Sequence, residues 1–167
     1  MRDVQPNTAY VMIAALETQK ASVSVVTQNI DGLHAMAGST HVHELHGNIF
    51  QNCCFGCRRI ALPSIAPQPQ IPRCLHCGGY VRPAVVWFKE RISEPVWRLA
   101  SRAIVDCDVL VIVGTSGEIY PAAGLPNLAR GKRIVVINPQ PTALDEGADW
   151  VIRKTATEGL AEFLSVT

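Results

Sequence analysis

The sequence predicts an α/β fold, a parallel sheet with an inserted small zinc-binding module, from three observations. Short β-branched runs alternate with amphipathic segments, which is typical of parallel strands joined by right-handed crossover helices. The run Val109–Val113 is continuously apolar, as expected for a strand buried on both faces. Two Cys-x-x-Cys pairs lie close together in the first half of the chain and indicate a separate metal-bound unit.

Length and composition narrow the class of protein. The 167 residues suffice for one globular domain with a core and a small insert. A hydrophobic fraction of 48% and a net charge of +1 exclude a disordered tail and argue against nucleic acid as a partner. No segment resembles a signal peptide or is apolar enough to span a bilayer, so we expect a cytoplasmic protein with no membrane partner.

In the first half of the chain, the apolar periodicity after Pro6 predicts a helix over about 7–17. The run Val23–Val26 predicts a short buried strand. Residues 60–72 are rich in proline and lack periodicity, which indicates a loop. The residues expected to form the buried stripe of the helix are Tyr10, Ile13, Ala14 and Leu16.

In the second half, Val85–Phe88 is extended and apolar, and Glu94-Pro95 could open a helix. After the strand at 109–113, the pattern predicts a helix-like segment over 122–129, strands at 134–137 and near 150–152, and a final helix over about 157–164. The residues expected on one side of the helix that Glu94 opens are Val96, Leu99, Ala100 and Ile104.

The two cysteine pairs predict a structural zinc site. Each pair lets two thiolates reach one tetrahedral ion from a tight turn, and four thiolates leave no position open for water. Cys53 is out of register with the pairs, and Cys107 is expected to be a small core residue. The predicted ligands are Cys54, Cys57, Cys74 and Cys77, and the glycines that permit the turns are Gly56, Gly78 and Gly79.

Polar residues follow the first predicted strand. Gln28, Asn29 and Asp31 offer donors and acceptors suited to sugar hydroxyls and an amide. The nearby histidines could each be a general base, a metal ligand or a surface imidazole. His46 is favoured as a base because Gly47 after it permits close backbone approach, and imidazoles titrate near neutral pH. The other three histidines of this region are His34, His41 and His43.

Two later strands also end in polar residues. Gly114-Thr115-Ser116-Gly117 follows the apolar strand and is either a phosphate or ribose contact or an ordinary turn. Asn138 ends the next strand, where an α/β sheet often binds the ribose of a dinucleotide, although a turn before Pro139 explains it as well.

Together these motifs resemble the sirtuin family of NAD-dependent protein lysine deacylases, in the family's order and over nearly the whole chain. The variant 117–123 looks like the bacterial-type branch near the desuccinylases and demalonylases. The matching motifs are Thr27-Gln28-Asn29-Ile30-Asp31-Gly32-Leu33-His34, Glu44-Leu45-His46-Gly47, the two cysteine pairs, Arg82-Pro83-x-Val85-Val86-Trp87-Phe88, Gly114-Thr115-Ser116 and Val136-Ile137-Asn138.

The resemblance implies an activity and a role for each matching residue. The acyl-lysine oxygen would attack C1′ of the nicotinamide ribose of NAD, nicotinamide would leave, and the acyl group would pass to ADP-ribose. The implied catalytic residues are His46 as general base, Asn29 and Asp31. The implied NAD contacts are Gln28, Asn29, Ile30, Asp31, Gly114, Thr115, Ser116, Asn138 and Ala156. The implied contacts with an acyl-lysine protein or peptide are Val85, Val86, Trp87, Phe88, Gly117, Glu118 and Ile119, with Trp87 and Phe88 alternatively plain core.

The resemblance also implies a Rossmann-like NAD-binding domain, formed by 1–50 and 84–167, and a four-cysteine zinc module over 51–83. The family's first strand and its Gly-Ala-Gly-x-Ser cofactor loop have no match before Val23. We therefore expect an N-terminally truncated domain with weak NAD affinity and poor or absent catalysis. The alternative function is a remnant that binds peptide or ADP-ribose without turnover. Lys89 replaces an expected glycine and either alters peptide docking or points to solvent.

Overall fold

A computed structural model of the protein describes residues 4–61 and 71–166. The predicted loop over 60–72 falls mostly on 62–70, outside these ranges. The α-helices are Thr8–Leu16 (α1), Leu33–Met36 (α2), Glu94–Asp106 (α3) and Ala156–Ser165 (α4). The strands are Val25–Thr27 (β1), Val42–Glu44 (β2), Gly47–Cys54 (β3), Ile60–Ala61 (β4), Val81–Val85 (β5), Val109–Val113 (β6), Arg133–Ile137 (β7) and Trp150–Ile152 (β8). Two 3₁₀ helices span Ala122–Leu128 and Asp145–Gly147.

The strands form three sheets within the described residues. β1 pairs with β2, and β7 lies between β6 and β8; every one of these pairings is parallel. β3 lies between β4 and β5 in an antiparallel sheet. The α/β class is therefore confirmed, with its parallel strands divided between two sheets and the cysteine pairs on a third.

β7 is the most buried strand. Val135, Val136 and Ile137 are each at most 1% exposed, and full burial of such side chains stabilises a fold by about 1.5–3 kcal/mol each. α4 packs closely on this strand because it presents Gly159, where an added Cβ would lie 2.2 Å from Ile137 Cγ2. The carboxyl end of β7, which carries Asn138, is thus held by the core.

β6 has the predicted bounds but not the predicted burial. It lies at the edge of its sheet, and of its five residues only Ile112 is buried, while Val109 is 41% exposed. The expectation of burial on both faces was wrong because an apolar run does not reveal whether a strand is central. Cys107, just before β6, is half-buried rather than a core residue.

Two helices differ from the predicted stripes. α1 begins after Asn7, whose side chain accepts a hydrogen bond from the Ala9 amide at 2.9 Å. Only Ala9 is buried in α1, and the four residues of its predicted stripe are half-buried. In α3, Ala100 and Ile104 are buried as predicted, whereas Leu99 is 52% exposed.

The predicted helix over 122–129 is a 3₁₀ helix that contains Pro126, which has no N–H for an α-helical hydrogen bond. The extended run predicted at 85–88 ends as a strand at Val85 and enters a turn. Trp87 is 59% and Phe88 91% exposed, so the core alternative for these two residues is wrong. Within 4–61 and 71–166, no helix has the length and hydropathy needed to cross a membrane.

Candidate active site and metal centre

His46 lies at the carboxyl end of the β1–β2 pair. The Leu45 amide donates to the Thr27 carbonyl at 2.9 Å, which aligns the two chain ends. His46 Nδ1 lies 3.1 Å from the Gln28 carbonyl oxygen. Because a carbonyl can only accept, Nδ1 carries the hydrogen and the lone pair of the neutral ring is on Nε2. His46 is therefore held in the tautomer that a general base at Nε2 requires.

The loop after β1 is held by its own side chains. Asn29 donates from its backbone to Thr27 Oγ1 at 3.0 Å and from Nδ2 to the Tyr10 hydroxyl at 3.2 Å. Asp31 Oδ1 accepts from the Leu33 amide at 3.0 Å. Burial raises the pKa of Tyr10, and the nearby Asp31 carboxylate adds to the rise. These bonds hold Asn29 and Asp31 on one short loop beside His46.

His34 belongs to the same polar group. Its ring packs edge-on against Tyr10 at 4.6 Å between centroids, and its Nδ1 is buried with no hydrogen-bond partner among the described residues. Burial lowers the pKa of His34, and Asp31 only partly offsets that effect, so the ring is neutral at pH 7. The sequence suggested Tyr10 only as part of a buried stripe, because periodicity says nothing about where a hydroxyl points.

Gly47 allows β3 to approach β5 beside His46. Its φ is +76°, and an added Cβ would lie 1.9 Å from the Ala84 carbonyl oxygen. Gly47→Ala is expected to force these strands apart and to reduce the free energy of unfolding by about 3 kcal/mol. Urea denaturation measures it, with Gly131→Ala as the control, since Gly131 has φ +69° and nothing within 4 Å of an added Cβ. Equal losses in both variants would show that backbone strain, and not the close approach, requires glycine at 47.

A second polar group forms where β6 and β7 end. The Gly114 amide donates to the Ile137 carbonyl at 3.0 Å, and Asn138 Nδ2 donates to the Thr115 carbonyl at 2.9 Å. Asn138 Oδ1 accepts from the Gln140 amide at 3.1 Å. An added Cβ at Gly114 would meet nothing within 4 Å. The buried Asn138 amide thus positions a loop whose backbone faces open space.

An ion pair holds together the segment between β7 and β8. Arg153 forms a salt bridge with Asp145 and donates to the Asn138 and Gln140 carbonyls, each at 3.3 Å. Asp145 also accepts from the Thr142 amide at 2.8 Å. The hydrogen bond from Arg153, followed by that from Thr142, lowers the pKa of Asp145 below its ordinary 3.8.

This lowered pKa predicts a pH dependence for Asp145→Asn. A carboxyl group whose pKa is lower in the folded protein stabilises the fold above its unfolded pKa, and that stability is lost as pH falls through the folded pKa. The variant is expected to be less stable than the parent at pH 7, and the difference should shrink as pH falls below the ordinary pKa of 3.8 and vanish below the lowered pKa of the folded protein. Urea midpoints across acidic and neutral pH measure the difference; one that persisted at low pH would contradict the ionic explanation.

The predicted substrate segment is attached to His46 through the backbone. The Val86 amide donates to the His46 carbonyl at 2.8 Å, and Arg82 Nη1 donates to the Val85 carbonyl at 3.0 Å. The Trp87 amide donates to Glu90 at 3.2 Å. That bond, and next the bond from Arg82, lowers the pKa of Glu90. The segment 85–88 therefore leaves His46 in a defined direction and presents Trp87 outward.

The other predicted residues are spread over the ends of β6 and β8. Gly117, with φ +72°, donates to Thr115 Oγ1 at 3.3 Å, and the Ile119 carbonyl accepts from Ala123 at 2.9 Å. Ala156 begins α4 after the N-cap Thr155. Within 4–61 and 71–166, no hydrogen bond joins the group at the ends of β6–β8 to the group around His46.

The four predicted metal ligands lie together. The Sγ atoms of Cys54, Cys57, Cys74 and Cys77 are all within 4.8 Å of one another. A four-thiolate set of this kind fits zinc as a structural ion. Hydrogen bonding from the Cys57 backbone lowers the pKa of the Cys54 thiol to about 6, which favours its thiolate. The hydrogen bond from the Arg59 backbone acts in the same sense on Cys57, but burial and the neighbouring thiols outweigh it and raise the pKa of Cys57 to about 11.

The two cysteine turns have matching backbones. The residue after each pair donates to the carbonyl of the pair's first cysteine, Arg58 to Cys54 at 3.0 Å and Gly78 to Cys74 at 2.8 Å. Both residues have positive φ, 59° for Arg58 and 72° for Gly78. Glycine adopts this conformation without strain, whereas an arginine there costs about 1 kcal/mol or more.

Known proteins resemble this chain over most of its length. The model of the Sir2 family matches residues 1–121. An NAD-dependent protein deacylase of Ralstonia nicotianae is 51% identical over 156 residues, which cover 92% of this chain and 63% of that relative. The chain thus spans less than two thirds of the length of that relative.

Solved structures of similar proteins contain ligands. The structure of a Sir2 homologue–NAD complex matches with a TM-score of 0.90 at 38% identity, covering 98% of this chain and 65% of that one. A Sir2 structure with a p53 peptide and NAD⁺ matches with a TM-score of 0.84 at 30% identity, covering 98% and 70%. The arrangement of strands and helices described above is shared with these proteins.

Proposed function

This chain belongs to the Sir2 family, and on that premise we propose that it is an NAD-dependent protein deacylase that moves an acyl group from lysine to ADP-ribose and releases nicotinamide. The observation that carries the proposal is the position of His46: its Nδ1–H is held by the Gln28 carbonyl at 3.1 Å, beside the loop that carries Asn29 and Asp31. The relative named a deacylase is 51% identical over most of this chain, which favours an enzyme over a binding remnant.

The polar residues at the strand ends fit NAD. The open space beside Gly114 and the unpartnered, buried Nδ1 of His34 are features that a polar ligand would use. When bound, NAD supplies the ribose carbon that receives the acyl oxygen and the nicotinamide leaving group. The residues that we propose hold it are Gln28, Asn29, Ile30 and Asp31 on one side and Gly114, Thr115, Ser116, Asn138 and Ala156 on the other.

The chain's own residues then account for proton transfer and positioning. His46 Nε2 accepts a proton from a ribose hydroxyl of NAD. The Gln28 carbonyl stabilises the resulting imidazolium by accepting the hydrogen bond from Nδ1–H. Asn29, held by Thr27 and Tyr10, positions a ribose hydroxyl and a water molecule, and Asp31 lines the nicotinamide site.

We propose that the acyl-lysine peptide lies along two segments of the chain. The first comprises Val85, Val86, Trp87 and Phe88, and the second comprises Gly117, Glu118 and Ile119. In support, β5 is an edge strand of its sheet, and addition of a peptide strand to an edge is a common recognition mode. The exposed Trp87 and Phe88 would contact the acyl-lysine side chain.

The same proposal divides the chain into a Rossmann-like NAD-binding domain, 1–50 and 84–167, and a zinc module, 51–83. β3 and β5 run across both borders and connect the two parts. We propose a cytoplasmic location, because zinc-binding thiolates persist best in a reducing compartment.

The test is NAD-dependent release of nicotinamide from matched acetyl-lysine and succinyl-lysine peptides, with an unmodified lysine peptide as control. Release that needs both NAD and the acyl group supports the proposal. A folded, zinc-loaded protein that releases no nicotinamide with either peptide would contradict it and favour a protein that binds peptide or ADP-ribose without turnover.

A further inference from the structure

A basic pocket opens beside the proposed substrate segment. Its volume is about 660 Å³, and its lining includes Val85 and Val86, where that segment begins. The charged side chains that line this basic pocket are Arg58, Arg82, Lys89, Glu90 and Arg91. Four of these five are cationic, in a chain whose overall net charge is only +1.

The single carboxylate of the basic pocket is already occupied. Arg82 Nη2 donates to both oxygens of Glu90, at 2.9 and 2.8 Å, and Arg58 lies 3.6 Å from Glu90 Oε1. Lys89 and Arg91 make no ion pair with any residue of 4–61 or 71–166. The basic pocket therefore retains unneutralised positive charge at its rim.

Backbone conformation points to the same residues. In the described part of the chain, Arg58 and Lys89 are the two non-glycine residues with positive φ, at 59° and 72°, and both line the basic pocket. At the matching turn of the second cysteine pair, Gly78 meets the same backbone need. Strained residues of this kind cluster at ligand-binding sites. Glycine would make these turns without strain. The presence of a cationic side chain at Arg58 and at Lys89 therefore requires a further explanation.

Arg82 adds a third observation. Its side chain is only 13% exposed, and its Nε is buried without a hydrogen-bond partner among the described residues. A buried guanidinium N–H without an acceptor is costly, and a carboxylate accepts from such groups strongly. The basic pocket thus combines free charge at its rim with a lining arginine whose guanidinium is not fully hydrogen-bonded within the described residues.

We propose that the basic pocket binds acidic side chains of the polypeptide that presents the acyl-lysine, so that this protein prefers acyl-lysines flanked by Asp or Glu. This inference rests on the proposed function, because it places the peptide along Val85 and Val86. Neighbouring residues of an extended peptide are about 3.3 Å apart. Side chains within a few residues of the acyl-lysine would therefore be able to reach the pocket that Lys89 and Arg91 line.

The experiment compares two labelled acetyl-lysine peptides that differ only in having Glu or Gln at the flanking positions. Dissociation constants are measured by fluorescence anisotropy at low and high salt, and nicotinamide release is measured in parallel. The Glu peptide is expected to bind about tenfold more tightly at low salt, with a smaller ratio at high salt. Equal binding of both peptides overturns the inference, as does stronger competition by a single-stranded oligonucleotide than by the free Glu peptide.

Substitutions in the basic pocket test whether its residues cause the preference for the Glu peptide. Lys89→Gly removes a charge where the backbone already suits glycine, and with Arg91→Gln it is expected to reduce the ratio to about one without weakening the Gln peptide. Arg130→Gln, which removes an exposed charge elsewhere, is the matched control and is expected to keep the ratio. A ratio unchanged by the first two variants would overturn the inference. Absence of nicotinamide release with either peptide, despite a Glu preference in binding, would contradict the deacylase function alone.

Discussion

Replacing Cys54 by serine is expected to abolish zinc binding and to unfold the sheet formed by β3, β4 and β5. Cys54 is fully buried, and its Sγ is one of the four thiol sulfurs that lie within 4.8 Å of one another. Three remaining thiolates bind zinc far more weakly than four, and in zinc modules metal binding supplies the free energy of folding. Binding of structural zinc to small modules contributes about 10–16 kcal/mol, so little of the sheet should survive without the ion.

Unfolding of this sheet should also affect the position of His46. β3 begins at Gly47, and Val86, the residue after β5, donates a hydrogen bond to the His46 carbonyl. Unfolding of the antiparallel sheet therefore removes one of the constraints that position the imidazole, so nicotinamide release should fall together with zinc content.

Metal content by atomic absorption and thermal unfolding by circular dichroism measure these effects. Cys107→Ser is the matched control, because Cys107 lies outside the cluster and donates to the Ile104 carbonyl at 3.1 Å. The control is expected to retain one zinc ion per chain. A Cys54→Ser variant that kept stoichiometric zinc and the parent's unfolding temperature would show that the cluster is not a four-thiolate site.

Much of the secondary structure could be predicted because the signals are local. The β-branched run at Val109–Val113 gave a strand with the observed bounds, and Pro6 followed by Asn7 marked the start of α1. The cysteine pairs could also be predicted from their spacing, because a Cys-x-x-Cys turn brings two thiolates together whatever surrounds it.

Burial was predicted less well because it depends on which element lies next in space. Leu99 follows the same helical periodicity as Ala100 and Ile104, yet it is exposed on α3. Trp87 and Phe88 have the composition of a core strand and instead lie in a turn after β5. Nothing local distinguishes an apolar residue packed in a core from one presented to a ligand.

In the candidate site, too, local signals could be predicted and contacts between distant residues could not. Motif order and the glycine after His46 led to the prediction of His46 as the base, which stays a prediction; the structure adds the contact between His46 Nδ1 and the Gln28 carbonyl. Tyr10 and the basic pocket were missed, because their members are brought together only by the fold. Arg58 and Arg91 are far apart in sequence, and a net charge of +1 gave no sign of a basic patch.

Replacing His46 by alanine is expected to reduce kcat/KM for nicotinamide release about 10²- to 10⁴-fold relative to the parent chain, the range typical of a lost general base. The fold should tolerate the change, because His46 is half-buried and its ring makes one hydrogen bond, worth about 1 kcal/mol. Equal zinc content and similar urea midpoints would confirm that chemistry, and not structure, is affected.

His41→Ala provides the matched comparison for His46→Ala. The His41 side chain is 71% exposed and lies before β2, so the variant removes an imidazole from the same region without touching the strand ends. It is expected to keep the parent's kcat/KM within a factor of about two, as for other surface substitutions. If His46→Ala lost no more activity than His41→Ala, the base would have to be another group. The half-buried His34 beside Asp31, whose pKa is lowered by burial, would then be the first residue to test.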